Sequence, residues 1–273
     1  MNFPQVSIIT ACYNKANTIE DTIKSVLNQS YINIQYIIVD ANSNDGTADI
    51  ISKYMDKIHL WIRESDQGIA DAWNKGIKAS TGDIIGIINA DDYYEPNAVE
   101  LAVNALSENP DKGFVFGDLE MRDMDGNKQY LLKGFPNYGD RIKFDMPAIS
   151  HPTVFVRREI YKKYGLFDLA YKSSLDYEFL LRIYLQGVKG LYIEHKLAIM
   201  RLGGISDINY IQSHRETAKV SIRYGYNPIF AKTRCYFKIL TSITRRLLET
   251  AGLIGIVKFY RRLTGKPHRY YKN

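Results

Sequence analysis

Asp91 and Asp92 stand side by side in Asn89-Ala90-Asp91-Asp92, directly after the apolar run Ile84–Ile88. Two adjacent carboxylates in a turn repel each other and call for a cation or for solvent. One chemistry that suits them is a hard divalent cation, Mg2+ or Mn2+, which takes a few carboxylates and completes its shell with water and substrate phosphates. The plainer reading is a solvated turn near a helix start. Asp40 ends a second apolar run, Gln35–Val39, and Asp66 lies just ahead of Gly68. Asp176 opens a helical pattern, where a carboxylate is a favourable first-turn residue.

Positioning these carboxylates together is the task of the first half of the chain. Val6–Thr10, Gln35–Val39, Leu60–Ile62 and Ile84–Ile88 read as strands, because each is a short β-branched or apolar run bounded by turn residues. Asn17–Asn28, Thr47–Met55, Ile69–Ala79 and Pro96 to about Ser107 read as helices from their apolar spacing and stop signals. Strand–helix alternation predicts an α/β fold with a mainly parallel sheet and helices on both faces. Ligands of such sheets bind beyond the carboxyl ends of the strands. Tyr13-Asn14, Asp40 and Asn89–Asp92 all fall there.

The second half is less regular. Phe114–Phe116, Tyr130–Leu132, Thr153–Val156, Leu191–Ile193 and Ala198–Met200 read as strands, and Arg157–Tyr164 and Leu175–Gln186 as helices. No repeat or low-complexity stretch is present.

The 273 residues are 45% hydrophobic and 24% charged, which excludes disorder as the main state. Two cysteines far apart, Cys12 and Cys235, exclude a disulfide scaffold and fit a reducing compartment. The residues ahead of Val6 carry no basic charge and the Val6–Ile9 run is four long, so no secretory signal is expected. No window approaches 18 apolar residues. The net charge of +6 hides two opposite parts. Residues 1–212 hold 22 Lys and Arg against 28 Asp and Glu, and residues 213–273 hold 14 against 2. An acidic body of −6 therefore carries a basic tail of +12, and the two parts are expected to meet different partners.

Four motifs in order carry a family resemblance: Ser7-Ile-Ile-Thr-Ala-Cys-Tyr-Asn14, Ile37-Ile-Val-Asp-Ala-Asn-Ser-Asn-Asp-Gly-Thr47, Ser65-Asp-Gln-Gly-Ile-Ala-Asp-Ala-Trp-Asn-Lys-Gly76 and Thr81-Gly-Asp-Ile-Ile-Gly-Ile-Ile-Asn-Ala-Asp-Asp92. Together they resemble family 2 nucleotide-sugar glycosyltransferases, of the kind found in bacterial polysaccharide and colanic-acid-type clusters. The resemblance covers roughly residues 4–207 and is firmest over 1–110. It implies a GT-A fold over 1–212, with a nucleotide-sugar half (1–110) and an acceptor half (111–212), followed by a basic helical extension (213–273).

By position, Asp40 resembles the residue that accepts a hydrogen bond from the nucleotide base, chemistry open to a carboxylate facing an N–H of uracil or guanine. Asp91 and Asp92 resemble the end of the metal-binding DXD motif, holding Mg2+ or Mn2+ across the donor diphosphate. Tyr13 is placed to pack on the base and Thr10 in the same nucleotide-sugar set. Asp66, Asp71 and Asn74 resemble the segment beside sugar and ribose, although Asp71 and Asn74 are also ordinary solvated helix positions. The chain departs from the family at Ala41 and Asn89, where Asp is frequent, and at Trp73, where many members carry an arginine. Leu175-Asp-Tyr-Glu-Phe-Leu-Leu-Arg182 resembles the family's acidic-pair segment with its first acid replaced by Leu175. Asp176 then keeps the place of the general base for an inverting displacement, with Glu178 as runner-up. His151 is expected either as a structural residue or against the diphosphate or acceptor. Gly203-Gly204-Ile205-Ser206 reads as a closing loop or a simple turn.

From Tyr236 on, Leu240, Ile243, Leu247, Ala251, Ile254 and Val257 recur at helical spacing, with Arg245, Arg246, Lys258, Arg261 and Arg262 on other faces. Two readings stay open: a helix packed on the body, or an amphipathic segment drawn to an anionic membrane surface. No nucleic-acid motif is present, so no nucleic-acid partner is expected. The sequence thus predicts a metal-dependent inverting hexosyltransferase. Its donor would be a nucleoside-diphosphate sugar and its acceptor a glycan or lipid-linked glycan, at the inner face of the cytoplasmic membrane. The alternative is a nucleotide-sugar-binding protein without transfer activity.

Overall fold

The computed structural model describes residues 3–144, 149–202, 209–253, 255 and 256. Its described strands form one nine-stranded mixed sheet: β1 (Val6–Cys12), β2 (Ile34–Asp40), β3 (Leu60–Arg63), β4 (Ile84–Asn89), β5 (Tyr93–Tyr94), β6 (Lys112–Arg122), β7 (Lys128–Leu132), β8 (Phe155–Arg157) and β9 (Lys189–Arg201). The order is β3-β2-β1-β4-β8-β6-β9-β5, with β7 on β6. The block β3-β2-β1-β4 is parallel, as the strand–helix alternation predicts. Beyond it β6 and β9 are also parallel, while β8 runs antiparallel to β4 and β6, β7 to β6 and β5 to β9, so the sheet is mixed with its longest pairings parallel.

The helices are α1 (Ile19–Leu27), α2 (Thr47–Ser52), α3 (Ile69–Ala79), α4 (Ala98–Glu108), α5 (Gly139–Ile142), α6 (Arg158–Tyr164), α7 (Leu175–Leu185), α8 (Tyr210–Arg223) and α9 (Pro228–Thr250). Successive β1 side chains alternate between two cores, because strand neighbours point to opposite faces. Ile9 and Ala11 join α3 and α7, while Ile8 and Cys12 join α1 and α4. Every β1 residue is buried, which is why its sequence is mostly apolar on both faces, with Ser7 and Thr10 the polar exceptions. Helix α3 lies so close to β1 that a Cβ at Gly76 would come within 2.4 Å of the Ile9 side chain. The glycine of the Asn74-Lys75-Gly76 motif is thus a packing requirement.

Two sequence-read elements take a different form. Thr153 sits in a 3-10 turn, His151–Thr153, because Pro152 follows His151 and the Thr153 hydroxyl bonds back to Ser150 O at 2.7 Å. Leu191–Ile193 and Ala198–Met200 are parts of one strand, β9, whose register against β6 shifts twice around Asp118. Pro96 stands two residues before α4 rather than inside it. The expected tail boundary at 212/213 falls within α8. The Gly203–Ser206 segment, Ile254, Val257 and the later basic residues Lys258, Arg261 and Arg262 lie outside the described residues. Among the described residues no helix is long and apolar enough to cross a membrane.

Candidate active site

The parallel register brings four strand ends into one row. Cys12 pairs with Asp40, Asp40 with Arg63, and Ala11 with Asn89. The loops that follow, 13–18 after β1 and 41–46 after β2, are laced by side chain to main chain bonds. Asn14 N donates to Ser43 Oγ at 2.9 Å, Lys15 N to Thr47 Oγ1 at 2.8 Å, and Ala16 N to Asp45 Oδ2 at 3.0 Å. Asn44 N returns a bond to Asn14 Oδ1 at 3.0 Å. Asn14 and Asn42 have positive φ, 52° and 57°, and asparagine is among the few side chains that adopt this region readily. The asparagines in these motifs therefore shape the crevice floor.

Asp40 is fully buried. Its Oδ1 accepts from Ser43 N at 3.0 Å and Ser43 Oγ at 2.5 Å. Its Oδ2 has no hydrogen-bond partner, although Arg63 Nε approaches to 3.4 Å. A buried carboxylate oxygen without a hydrogen-bond donor is costly, and the Arg63 charge is what offsets that cost here. Cys12, opposite Asp40, has its thiol pushed up by burial and then by the Asp40 charge.

The two carboxylates after β4 differ sharply. Asp91 remains partly open and its Oδ2 meets Lys15 Nζ at 2.7 Å. Asp92 is 2% exposed and its carboxylate takes a main-chain bond from Arg201. Burial, reinforced by the Asp91 charge, holds Asp92 well above the usual carboxylate range. Arg201 also donates to Asp91 O at 3.3 Å and lies over the Tyr93 ring, 5.2 Å from its centroid. Among the described residues no group of three or more His, Cys, Asp or Glu is arranged to hold a metal. The donor set that fits a divalent cation is one open carboxylate, Asp91, completed by phosphate oxygens of a ligand, a pattern normal for Mg2+. Asp92, the second expected ligand, is sealed from solvent in this structure.

Asn89 has its Oδ1 bonded by Trp73 Nε1 at 3.2 Å. The Trp73 ring stacks on His151, centroids 4.1 Å apart and planes within 6°, and meets Phe167 edge-on at 5.0 Å. Burial lowers the His151 pKa to about 3, so its imidazole is neutral. Phe167 in turn packs on Phe179 of α7 at 5.0 Å. An aromatic path therefore runs from the end of β4 to the helix that carries Asp176.

Asp176 sits in the first turn of α7, and Oδ1 accepts from Tyr177 N at 2.8 Å. Burial raises its pKa to about 6, against the lowering effect of that bond. The loop ahead of it is fixed by α8: Glu216 Oε2 accepts from the main-chain N–H of Lys172, Ser173 and Ser174 at 3.1, 2.7 and 3.0 Å. Glu178 is 1% exposed, paired twice with Arg182 at 3.1 Å and bonded by Tyr224 OH at 2.5 Å. Its carboxylate is spent on structure, which removes it as runner-up base.

The remaining expected residues separate in the same way. Tyr13 is 59% exposed above the crevice. Asp66 and Asp71 order the α3 entrance: Gly68 N donates to Asp66 Oδ1 at 2.9 Å, and Gln67 N to Asp71 Oδ2 at 3.1 Å. Asn74 is buried and both amide ends are taken by Phe167, Nδ2 donating to its O at 2.8 Å and Oδ1 accepting from its N at 2.9 Å. Thr10 is fully buried, bonded to Tyr36 OH at 3.1 Å. Thr10 and Asn74 are therefore both engaged by the protein's own groups in this structure. Lys15, Arg63, Ser43, Arg201 and Glu216 complete the site and were not singled out from the sequence. Ser43 sits within a quoted motif and Lys15 directly follows one, whereas Glu216 lies far from them and carried no signal.

The model of the family described as Glycosyl transferase family 2 matches residues 7–165, more than half of the chain. An uncharacterized glycosyltransferase of Rickettsia typhi is 32% identical over 203 residues, 72% of this chain. The chain spans 63% of the length of that protein. The mannosyltransferase PcManGT from Pyrobaculum calidifontis, solved with GDP-Man and Mn2+, superposes with a TM-score of 0.68 at 18% identity, over 97% of this chain and 84% of that one. S. aureus TarS 1-349 with UDP-GlcNAc gives 0.62 at 18% identity, over 83% and 69%. The GT-A fold, the motif order and the extent of the match lead to one conclusion: this chain belongs to glycosyl transferase family 2.

Proposed function

We propose that the protein transfers a hexose from a nucleoside-diphosphate sugar to a hydroxyl of a cell-envelope polysaccharide or lipid-linked glycan, inverting the anomeric carbon. The observation that carries this reading is Asp176, a carboxyl raised to about 6 by burial at the start of α7 while its neighbour Glu178 is locked to Arg182. A base with that pKa is ionised at neutral pH and still basic enough to take a proton. Asp176 accepts the proton of the acceptor hydroxyl as its oxygen bonds to the anomeric carbon. The carbon–oxygen bond to the diphosphate breaks on the opposite face, and its electron pair leaves with the nucleoside diphosphate.

Asp40 Oδ2 receives a base N–H, and Tyr13 covers the base ring. Solved family-like folds hold both UDP-GlcNAc and GDP-Man, which leaves the base open. A divalent cation, Mg2+ or Mn2+, when bound by Asp91 and the donor phosphates, neutralises the departing charge. Neutral His151, stacked on Trp73, offers a ring N–H or lone pair without adding charge.

The test is a panel of UDP, GDP and dTDP sugars with Mn2+, read by thermal shift and by sugar release. One donor is expected to stabilise the protein and to turn over slowly in water. No binding by any donor would sink the reading, and binding without turnover, even with glycan acceptors, would remove the transfer step.

A further inference from the structure

Helix α9 turns its apolar stripe outward. Ile229, Tyr236, Leu240, Ile243 and Leu247 follow each other at spacings of one or two turns, and their exposures are 77, 71, 62, 36 and 65%. Phe230 and Phe237 flank the stripe at 49 and 57% exposure. The opposite side, with Ala231, Arg234, Cys235 and Lys238, faces α8 and closes a small cavity with His214 and Thr217. His214 Nε2 and Ser242 Oγ are 3.3 Å apart across that seam, and Arg246 lies 4.2 Å from the centroid of the Tyr210 ring. The helix that the sequence offered as a body-packed element thus packs through its polar and basic side. A helix of 23 residues, about 34 Å long, presents a continuous hydrophobic edge to the outside. Such patches mark interaction surfaces.

Charge decides between occupants. Residues 213–273 carry 14 Lys and Arg against 2 Glu. A second copy on this face would bring two such segments together, at a repulsive cost, whereas an anionic surface is complementary. On α8, Arg215 and Lys219 are exposed four residues apart, Arg223 is exposed but paired with Asp168, and Lys232 is exposed on α9. Aromatic residues at the margin of an apolar edge suit a headgroup boundary. We propose that α9 lies flat on an anionic lipid bilayer, its Ile229–Leu247 stripe at the headgroup–acyl boundary and the exposed basic residues of α8 against the headgroups. Docked in this way, α8 connects the bilayer to the loop that holds Asp176.

The test uses the full chain and sedimentation with vesicles of phosphatidylcholine alone or with 30% phosphatidylglycerol. Binding is expected on anionic vesicles only, falling more than tenfold between 50 and 500 mM salt. Leu240→Ser with Leu247→Ser should cut it at least tenfold, with unchanged melting temperature and donor hydrolysis, and Leu240→Phe with Leu247→Phe should retain it. No sedimentation with anionic vesicles, or equal sedimentation of the serine variant, overturns the proposal. So does a concentration-dependent dimer that the serine variant dissolves in the absence of any vesicle binding.

Discussion

The indole N–H of Trp73 donates to Asn89 Oδ1 at 3.2 Å, and this bond determines what Asn89 offers the crevice. Indole nitrogen is a donor only, so the amide oxygen is committed and the NH2 group is what remains. In the proposed donor complex, where an aspartate would present oxygen to a cation, Asn89 would present its NH2 group to a phosphate or sugar oxygen. Trp73→Phe keeps the stack on His151 but frees the amide to rotate, and is expected to weaken donor binding about 3–10-fold, the size of one hydrogen bond. Asn89→Asp is expected to lower the Mn2+ concentration for half-maximal activity. Titration of donor and Mn2+ against both variants checks this.

Asp176→Asn is expected to lower kcat at least about 10²-fold with donor affinity within twofold of the parent. The acid limb of the parent rate profile should fall near the pKa of about 6 rather than near 4. The same residue predicts a stability effect of defined sign. Its folded pKa lies above its unfolded value, so the folded state binds more protons between pH 4 and 6, and the ionised group opposes folding above that window. The variant should therefore melt higher than the parent at pH 7, by roughly 5–10 °C, and nearly equally at pH 4. Calorimetry at the two pH values separates the outcomes.

Asp40→Asn removes the charge from a buried acceptor whose Oδ2 lacks a donor. Loss of a charge-assisted bond of about 1.5–3 kcal/mol predicts donor affinity reduced roughly 10–100-fold. Isothermal titration with the matching nucleoside diphosphate isolates the effect, because the sugar is absent.

Glu216→Gln leaves three main-chain N–H groups on a neutral acceptor ahead of Asp176. The expected outcome is a kcat reduced several-fold, an unchanged donor KM and an acid limb displaced from that of the parent. A purely structural loss would instead lower kcat and active fraction together, with the pH profile unmoved.

Asn74→Ala strands both main-chain groups of Phe167 in a buried position. Two unpaired polar groups predict a destabilisation of about 2–4 kcal/mol. Chemical denaturation measures it, and the matching value for Asp71→Ala, which is partly exposed, should be well below 1 kcal/mol.

Local pattern made much of this legible. Helix Ile69–Ala79 has the bounds its apolar spacing predicts, and Asp40 and Asn89 fall at strand ends as the topology requires. What depended on distant partners was not. Strand Tyr93–Tyr94 exists only through pairing with Ala198 and Ile199, and no two-residue signal announces it. Glu194-His195-Lys196 interrupts the apolar run of β9, so one strand reads as two. Asp91 and Asp92 are identical in type, yet one is open and one is sealed, a difference set by Arg201 more than a hundred residues away. Periodicity located the stripe on α9, but its direction is fixed by what α8 accepts.

The Glu216 clamp bears on how this protein can be recombined with its relatives. The family match ends at residue 165, and a natural place to splice would be after β9. A chimera cut there would separate the Lys172–Ser174 loop from the carboxylate that seats it. The smallest exchangeable module therefore runs through α8, and acceptor-half swaps should carry Tyr210–Arg223 along with α7.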